Sequence, residues 1–484
     1  MGLLGILIGL LFLIGLVFRG WSILLLAPVA AIIAAAANRA PLLAHWTQTF
    51  MAGAGHFVEQ FFPLFMLGAI FGKLMEDSGA VQAVAGFLSG RLGAQRAILA
   101  VVIISALVTY GGVSLMVAFF VIAPMAQQLF REANIPRRLM PAAIGLGSFT
   151  FTMSALPGSP ALQNAIPIPF FGTTPFAAPG LGVIASAIMA GFGLWWLARA
   201  EAAARSAGEG YQAGDPAAAG SALADPVVRE RATATGEFDP AELEHGERAG
   251  RKISFAVAVA PLAVVLVVNL LMSLVILPRM HVDFLAEPQW GGTSLAAVGG
   301  IWAVLVALLA GILTVIALNF TRLRNLRASM DAGANASVLP LIGIASLVGF
   351  GSVVAALPAF KAVTEWVLGI GGGPLVSLAV SVNLLSALTG SASGGMTIAL
   401  DALGSTYLHL AGQHGISPEL LHRVAVMASG TLDALPHNGA VVALLSVCGT
   451  THRESYGTMA MTVILGPVLA LLIVVALGSL FGSF

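Results

Sequence analysis

Long apolar runs dominate this chain, and short polar segments separate them. A helix needs about 20 apolar residues to cross a hydrocarbon core of about 30 Å. Runs of roughly this length predict membrane-spanning helices near residues 3–18, 21–38, 56–73, 139–172, 181–198, 253–277, 295–318, 337–357, 420–450 and 458–480. The first run has no basic segment before it and no small-residue cleavage site after it, which favours a retained helix over a signal peptide. The pattern predicts an all-α polytopic membrane protein.

Two further apolar stretches, near 97–130 and 374–410, differ from these because each has a Gly/Ser-rich centre. Each arm, of about 13 to 16 residues, is about 20 to 24 Å long as a helix and too short to cross the membrane. We therefore predict two re-entrant hairpins. The spans near 139–172 and 420–450 contain helix-breaking prolines among small polar residues, which predicts two broken helices.

The composition fits a membrane protein and excludes other classes. The chain of 484 residues is 58% hydrophobic and 9% charged, with a mean hydropathy of +0.95. Soluble domains carry about 25% charged residues. The 22 basic and 22 acidic side chains balance, so no basic surface for nucleic acid is indicated. The single cysteine, Cys448, cannot form an intrachain disulfide.

The charges concentrate in one segment, residues 199–252, which holds 17 of the 44 charged side chains. We predict a polar linker there, between a first transmembrane repeat at 1–198 and a second at 253–484. Basic residues favour the cytoplasmic side of a membrane. They cluster at Arg131, Arg137 and Arg138, at Arg199, Arg251 and Lys252, and at Arg322, Arg324 and Arg327. Placing these clusters in the cytoplasm predicts a cytoplasmic linker and both termini outside.

An internal repeat supports the division into two halves. A shift of 279 residues aligns Tyr110–Ser114 with Thr389–Ser393, and Leu156-Pro157 with Leu435-Pro436. The order of helices, hairpin and broken helix also recurs, and five crossings in each half would invert the second copy. Inverted repeats with discontinuous helices are typical of secondary transporters, in which the substrate binds near the membrane midplane.

The four interruptions are the candidate substrate site, because they offer hydroxyl groups, amides and the backbone N–H groups of half-helices. Helix N-termini carry positive dipole ends that suit a carboxylate, so we expect a small organic anion. The candidate residues are Gly111, Gly112, Ser114, Ser154, Gly158, Ser159, Asn164, Thr389, Gly390, Ser391, Ser393 and Asn438. The alternative is that these small residues only allow close helix packing. Nucleophilic catalysis by Ser391 or Ser393 is disfavoured because no base has a matching position.

Ionisable residues within membrane segments are often functional. Of the acidic residues outside the linker, only Glu59, Asp401 and Asp433 fall in predicted apolar elements. Asp433 directly precedes the second break and His437 lies within it, so either side chain could carry a proton during transport. Asp433 could instead only order the break by hydrogen bonds to local N–H groups. No metal site or cofactor is expected, and the coupling ion is H⁺, with Na⁺ as the alternative.

The second break also carries a resemblance to a known family. Ser429–Val441, with its Leu-Asp-Ala-Leu-Pro-His-Asn-Gly string, and Cys448–Tyr456 resemble the gluconate permease (GntP) family of the ion transporter superfamily. The resemblance implies proton-coupled uptake of small organic anions across the bacterial inner membrane. Family substrates include gluconate and related sugar acids, D-serine and 3-hydroxybutyrate. The spacing of Asp433 and His437 is more similar to hydroxybutyrate permeases, whereas the long charged linker departs from the family.

The resemblance further implies an elevator-type symporter and no enzymatic activity. The hairpins and broken helices would form a mobile unit, and the other helices a scaffold, plausibly in a homodimer within the lipid bilayer. A sodium-coupled carboxylate transporter or a cation/proton antiporter is the alternative.

Overall fold

The computed structural model describes residues 2–17, 21–113, 115–211, 253–323, 325–436 and 438–484. Every regular element in these ranges is helical, and they contain no strand. The predictions made for Ser114, His437, Arg324 and residues 212–252 lie outside the described residues.

The helices are numbered in chain order. They are α1 (Gly2–Val17), α2 (Ile23–Ala37), α3 (Leu42–Asp77), α4 (Ala80–Leu92), α5 (Ala97–Tyr110), α6 (Leu115–Glu132), α7 (Met140–Ser148), α8 (Phe151–Ser154), α9 (Leu162–Ala165), α10 (Pro167–Phe171), α11 (Pro179–Ser206), α12 (Phe255–Arg279), α13 (Leu295–Asn319), α14 (Leu326–Ala356), α15 (Phe360–Leu368), α16 (Gly373–Thr389), α17 (Ala392–His414), α18 (Pro418–Ser429), α19 (Gly439–Val447) and α20 (His452–Phe481).

Six of these helices are long and apolar enough to cross a membrane: α3, α11, α12, α13, α14 and α20. All six contain a predicted span whole or almost whole. Helix α3 begins well before the predicted span at 56–73, because its first turns carry exposed polar residues that break the apolar run without breaking the helix. The described protein is thus an all-helical, multi-pass membrane protein.

Two pairs of helices form tight hairpins. Helix α5 ends at Tyr110 and packs on α6, and α16 ends at Thr389 and packs on α17. The turns use left-handed glycines, Gly112 at φ +96° and Gly390 at φ +64°, where a side chain would be strained. The sequence predicts two hairpins near 97–130 and 374–410, and the structure has a pair of helices joined by a tight turn in each stretch. That these hairpins enter and leave the membrane on the same side stays a prediction.

Two other stretches are broken helices. The first runs from α7 through α8 to the short helices α9 and α10, with an irregular segment at 155–161. The second consists of α18 and α19, separated by residues 430–438. Prolines lie in both breaks among small polar residues, and each proline lacks the N–H group that would donate a helical hydrogen bond.

The two halves of the chain interlock around these interruptions. Helix α10 of the first half contacts α13, α17 and α18 of the second, and α19 contacts α6 and α7. Helices α2, α3 and α14 pack together on one side, where α3 also contacts α13. The four interruptions therefore lie inside the protein.

The beginning of the predicted linker is structured. Helix α11 continues to Ser206, since this stretch is rich in Ala, Glu and Arg and contains a Glu201–Arg205 pair at 2.7 Å. Arg138 then contacts Glu209 at 2.6 Å, and the Tyr211 N–H donates to Asn134. The helix thus passes the predicted boundary at residue 198.

The structure corrects the expectation that only Glu59, Asp401 and Asp433 lie in apolar elements. Glu76 and Asp77, at the end of α3, are fully buried with Lys73. Lys73 Nζ lies 3.2 Å from Asp77 and 3.5 Å from Glu76, and the Ser329 hydroxyl donates to Asp77 at 2.6 Å. Sequence reasoning ended the span at residue 73 because the charges resemble a polar boundary. Glu59 and Asp401 are exposed.

Candidate functional site

All four interruptions line one small cavity of about 20 Å³. The first hairpin contributes Leu115, the first broken helix Phe149, Met153, Ser154 and Gln163, the second hairpin Ala392, and the second broken helix Gly430, Asp433, Asn438 and Ala440. A cavity of this size has room for about one water molecule. A larger ligand can enter only if the elements around the cavity separate.

Three helices begin at this cavity. Leu115 starts α6, Ala392 starts α17, and Ala440 is the second residue of α19. The side chains of Ser391 and Asn438 cap α17 and α19 by accepting hydrogen bonds from Gly394 N at 3.1 Å and Val441 N at 3.0 Å. Helix N-termini carry a partial positive charge and N–H groups without intrahelical partners. The cavity is therefore suited to an anion.

Each hairpin is tied to the break of its own half. The Tyr110 hydroxyl, at the end of α5, donates to the Pro157 carbonyl at 2.6 Å. The Asn438 side-chain amide donates to the Gly390 carbonyl at 2.9 Å. In both halves, a side chain thus joins a hairpin turn to unwound backbone by satisfying a carbonyl that has no helical partner.

Asp433 is half-buried and its side chain lines the cavity. No cation among the described residues forms an ion pair with its carboxylate. The loop around it is held by its backbone, since Tyr456 donates to the Ala434 carbonyl at 3.0 Å and His452 Nε2 contacts the Pro436 carbonyl at 2.7 Å. The role of Asp433 as a proton carrier stays a prediction.

The first break is held from behind by two fully buried residues of α18, His422 and Arg423. Arg423 donates to the Ala177 carbonyl at 2.7 and 3.0 Å, with longer contacts to Ser154, Pro175 and Asn164 at 3.4 to 3.5 Å. These acceptors are all neutral, and no described carboxylate pairs with the guanidinium. Among the described residues, no carboxylate compensates this positive charge, which lies beside the backbone of Ser154, a residue of the cavity wall.

His422, the residue before Arg423, joins two parts of the first half of the chain, at Asn164 and at Thr173. Its Nδ1 lies 2.6 Å from the Thr173 hydroxyl, and its Nε2 lies 3.2 Å from Asn164 Oδ1. Because an amide oxygen only accepts, Nε2 donates to Asn164 Oδ1. Both ring nitrogens are thus hydrogen-bonded, which fixes the imidazole between Thr173 and Asn164.

Comparison with known proteins agrees with this architecture. The family model described as GntP family permease matches residues 1–169. The chain is also 38% identical over 446 residues to a protein named Uncharacterized transporter YxjC of Bacillus subtilis (strain 168), with 91% of each chain covered. The chain belongs to the GntP permease family.

A second relative matches this GntP-family chain over a shorter region. The High-affinity gluconate transporter of Escherichia coli (strain K12) is 34% identical over 121 residues, which is 24% of this chain and 26% of that protein. Among solved structures, the YdaH transporter of Alcanivorax borkumensis, whose crystal structure is described as having an unusual topology, matches with a TM-score of 0.52. That match has 16% identity and covers 91% of this chain and 88% of that chain, so it supports the fold alone.

The structure places some of the predicted site residues directly at the cavity. Ser154, Asp433 and Asn438 line it. Ser391 immediately precedes Ala392, and its hydroxyl lies 3.4 Å from that of Ser393. The structure thus places Ser154, Asp433 and Asn438 in the cavity wall and Ser391 and Ser393 next to its lining residue Ala392, whereas a common binding role stays a prediction.

Other predicted residues hold the backbone. Gly111 and Gly112 face Leu262 and Pro160. Gly158 takes φ +78° and its carbonyl accepts from Asn269 at 3.0 Å, and the Ser159 hydroxyl accepts from Ala161 N. Asn164 donates to the carbonyls of Ser159 and Pro175. Thr389 donates to Leu385 O at 2.8 Å, and Gly390 is bound by Asn438. Their role in substrate binding stays a prediction, as does that of Ser114, and the role of His437 in proton coupling also stays a prediction.

Three polar residues of this region were not predicted from the sequence as part of the site: Gln163, His422 and Arg423. A signal was present for the last two, because an ionisable pair stands inside the apolar stretch 420–450. Gln163 carries no charge and belongs to no motif, so only its position against the other interruptions shows its relevance.

Proposed function

We propose that this GntP-family transporter is a proton-coupled symporter of a small organic anion, either a gluconate-like sugar acid or a 3-hydroxybutyrate-type hydroxy acid. The observation that carries the proposal is the meeting of three helix N-termini and one acidic side chain, Asp433, at a single cavity. Helix N-termini at unwound segments bind anionic substrate groups in other secondary transporters.

The substrate carboxylate would be bound by the first turns of α6, α17 and α19. The hydroxyl groups of Ser391 and Ser393, 3.4 Å apart beside the start of α17, can donate a further hydrogen bond, whereas the Ser154 hydroxyl already donates to the Thr150 carbonyl. The guanidinium of Arg423, behind Ser154, adds positive potential without a competing carboxylate in the described part. A four- to six-carbon acid is much larger than the 20 Å³ cavity, so binding requires the hairpin turns to move away from the breaks.

Proton coupling follows from the position of Asp433. A substrate carboxylate in the same cavity would repel an ionised Asp433, and like charges at short distance disfavour the charged form. Binding of the anion would therefore favour binding of a proton, and by linkage the proton would favour the anion. Joint binding of both species is the requirement for symport. His437, which lies outside the described residues, is proposed to share the proton.

Movement of the site would follow an elevator mechanism. The mobile unit would contain the two hairpins and two broken helices, and the scaffold would contain α2, α3, α12, α13 and α14. Contacts of α10 with α13 and of α17 with α14 would form the sliding interface. We further propose a homodimer in the bacterial inner membrane, with periplasmic termini and a cytoplasmic linker.

Uptake into liposomes tests the function. Purified protein is reconstituted, and accumulation of labelled gluconate and of labelled 3-hydroxybutyrate is measured with an inward proton gradient or an inward sodium gradient. Accumulation driven by the proton gradient alone is expected. Accumulation that requires the sodium gradient would contradict proton coupling and support sodium coupling. The absence of uptake of any organic acid would contradict the proposed substrate class.

A further inference from the structure

Gln163 has an unusual position in this site. It is the second residue of the short helix α9, its side chain is 4% exposed, and it lines the cavity together with Ser154, Asp433 and Asn438. Its amide oxygen, Oε1, is buried and has no hydrogen-bond partner among the described residues. Buried polar atoms nearly always have a partner, so an exception in a cavity wall indicates a group that binds there.

The other buried side-chain amides near the site have partners. Asn164, the next residue, donates to two carbonyls and accepts from His422. Asn438 donates to Gly390 O and accepts from Val441 N. Asn269 donates to Gly158 O and accepts from the Ser273 hydroxyl. Of these four side-chain amides, only Gln163 has an oxygen atom without a hydrogen-bond donor among the described residues.

We propose that Gln163 Oε1 accepts a hydrogen bond from a hydroxyl group of the substrate, so that the protein selects hydroxy acids over the same acids without the hydroxyl. A carboxylate oxygen cannot be its partner, because carboxylates and amide oxygens both only accept. A hydroxyl group donates. The helix N-termini would thus bind the acid group, and Gln163 would bind the hydroxyl beside it.

This inference rests on the proposed function, because it assigns one contact within the same site. The cavity has room for about one water molecule, and a water can donate to Gln163 when no substrate is bound. A hydroxylated substrate replaces that hydrogen bond when it displaces the water, whereas an unsubstituted acid leaves Oε1 buried without a donor. Loss of a hydrogen bond from a displaced water lowers affinity.

Binding measurements with matched ligands test the inference. Dissociation constants of purified wild-type protein are measured by calorimetry for 3-hydroxybutyrate against butyrate, and for gluconate against hexanoate. The same measurements are made on Gln163→Met, which keeps an unbranched side chain of similar length but removes the acceptor, and on Gln163→Asn, which withdraws the amide by one methylene. Gln128→Met is the matched control, because Gln128 is exposed on α6 and bonded to Glu132.

We expect wild-type protein and Gln128→Met to bind 3-hydroxybutyrate about tenfold more tightly than butyrate, as one neutral hydrogen bond allows. In Gln163→Met and Gln163→Asn this ratio should fall to about one, by weaker binding of the hydroxy acid and by somewhat tighter binding of butyrate, which no longer leaves a buried acceptor without a donor. Retained binding of butyrate also shows that the variant is folded.

Three results would overturn the inference. Equal wild-type affinity for hydroxylated and unsubstituted acids would contradict hydroxyl recognition and leave the proposed transport function standing. A tenfold preference that survives in the Gln163 variants would assign the hydroxyl to another residue. Binding of none of the four acids by wild-type protein would contradict the proposed function, and the inference with it.

Discussion

The close contact between the two arms of the second hairpin makes Gly395 a sensitive position. A Cβ atom at Gly395, in the first turns of α17, would overlap the backbone nitrogen and Cα of Ser386 and lie 2.6 Å from the carbonyl carbon of Leu385. These are backbone atoms of α16, which cannot rotate away. Since carbon atoms pack at about 3.5 to 4.0 Å, Gly395→Ala must push the arms apart by about 1 Å.

Gly412 provides a matched control, because it lies on the same helix, is exposed, and has no atom within 4 Å of its Cβ position. Both substitutions gain about 1 kcal/mol of helix propensity, so their difference reports the packing cost alone. Overpacking costs about 1 to 3 kcal/mol, and overlap with rigid backbone places Gly395→Ala at about 3 kcal/mol below Gly412→Ala.

The free energy of unfolding, measured by SDS titration in mixed micelles, checks this difference. Uptake into liposomes should fall as well in Gly395→Ala, because Ser391 and Ser393 lie within one turn of the displaced residue. Equal stability of the two variants within about 0.5 kcal/mol, together with equal uptake, would refute the close packing of α16 and α17 and the position of the hairpin turn derived from it.

Two buried cations give further predictions, each measured by the same SDS titration. Arg423→Met removes the donor that holds the first break, and we expect a loss of at least about 3 kcal/mol of stability, whereas Arg327→Met, at an exposed position, should change stability by less than about 0.5 kcal/mol. Wild-type stability of Arg423→Met would show that the break holds its shape without the guanidinium. Lys73→Met leaves the buried Asp77 carboxylate without its cation and should cost about 3 to 5 kcal/mol, with Lys361→Met as the exposed control. Adding Asp77→Asn to Lys73→Met should recover part of this loss, and no recovery would contradict the ion-pair explanation.

The interruptions were predictable because their signals are local. A Gly/Ser centre in an apolar stretch is a local signal for a break, and so is a proline among small polar residues, as at Pro436, whereas isolated prolines such as Pro63 and Pro261 lie inside continuous helices. The positions of Tyr110 and Thr389 at the ends of α5 and α16 agree with the predicted turns. The family was also recognisable, since the string around Asp433 is specific.

The composition of the site was less predictable, since it depends on contacts between residues far apart in sequence. Gln163 lines the same cavity as Asp433 from a position 270 residues earlier, and no periodicity in the sequence predicts that both line one cavity. Asn164, beside it, was predicted to bind substrate, which stays a prediction, and in the structure it bonds to two carbonyls and to His422. The two neighbours have similar chemistry, and only the packing of α18 decides which amide faces the protein.

Substrate accumulation by the Asp433→Asn variant in liposomes is the most direct test of proton-coupled transport at this cavity. With an inward proton gradient, wild-type protein and the control Asp401→Asn, at an exposed carboxylate on α17, should accumulate a labelled hydroxy acid. Asp433→Asn should lose this accumulation and retain exchange of labelled for unlabelled substrate, because the anion site remains while the group that binds the proton is gone. Proton-driven accumulation by Asp433→Asn at the wild-type level would contradict the assignment of Asp433 as the coupling residue.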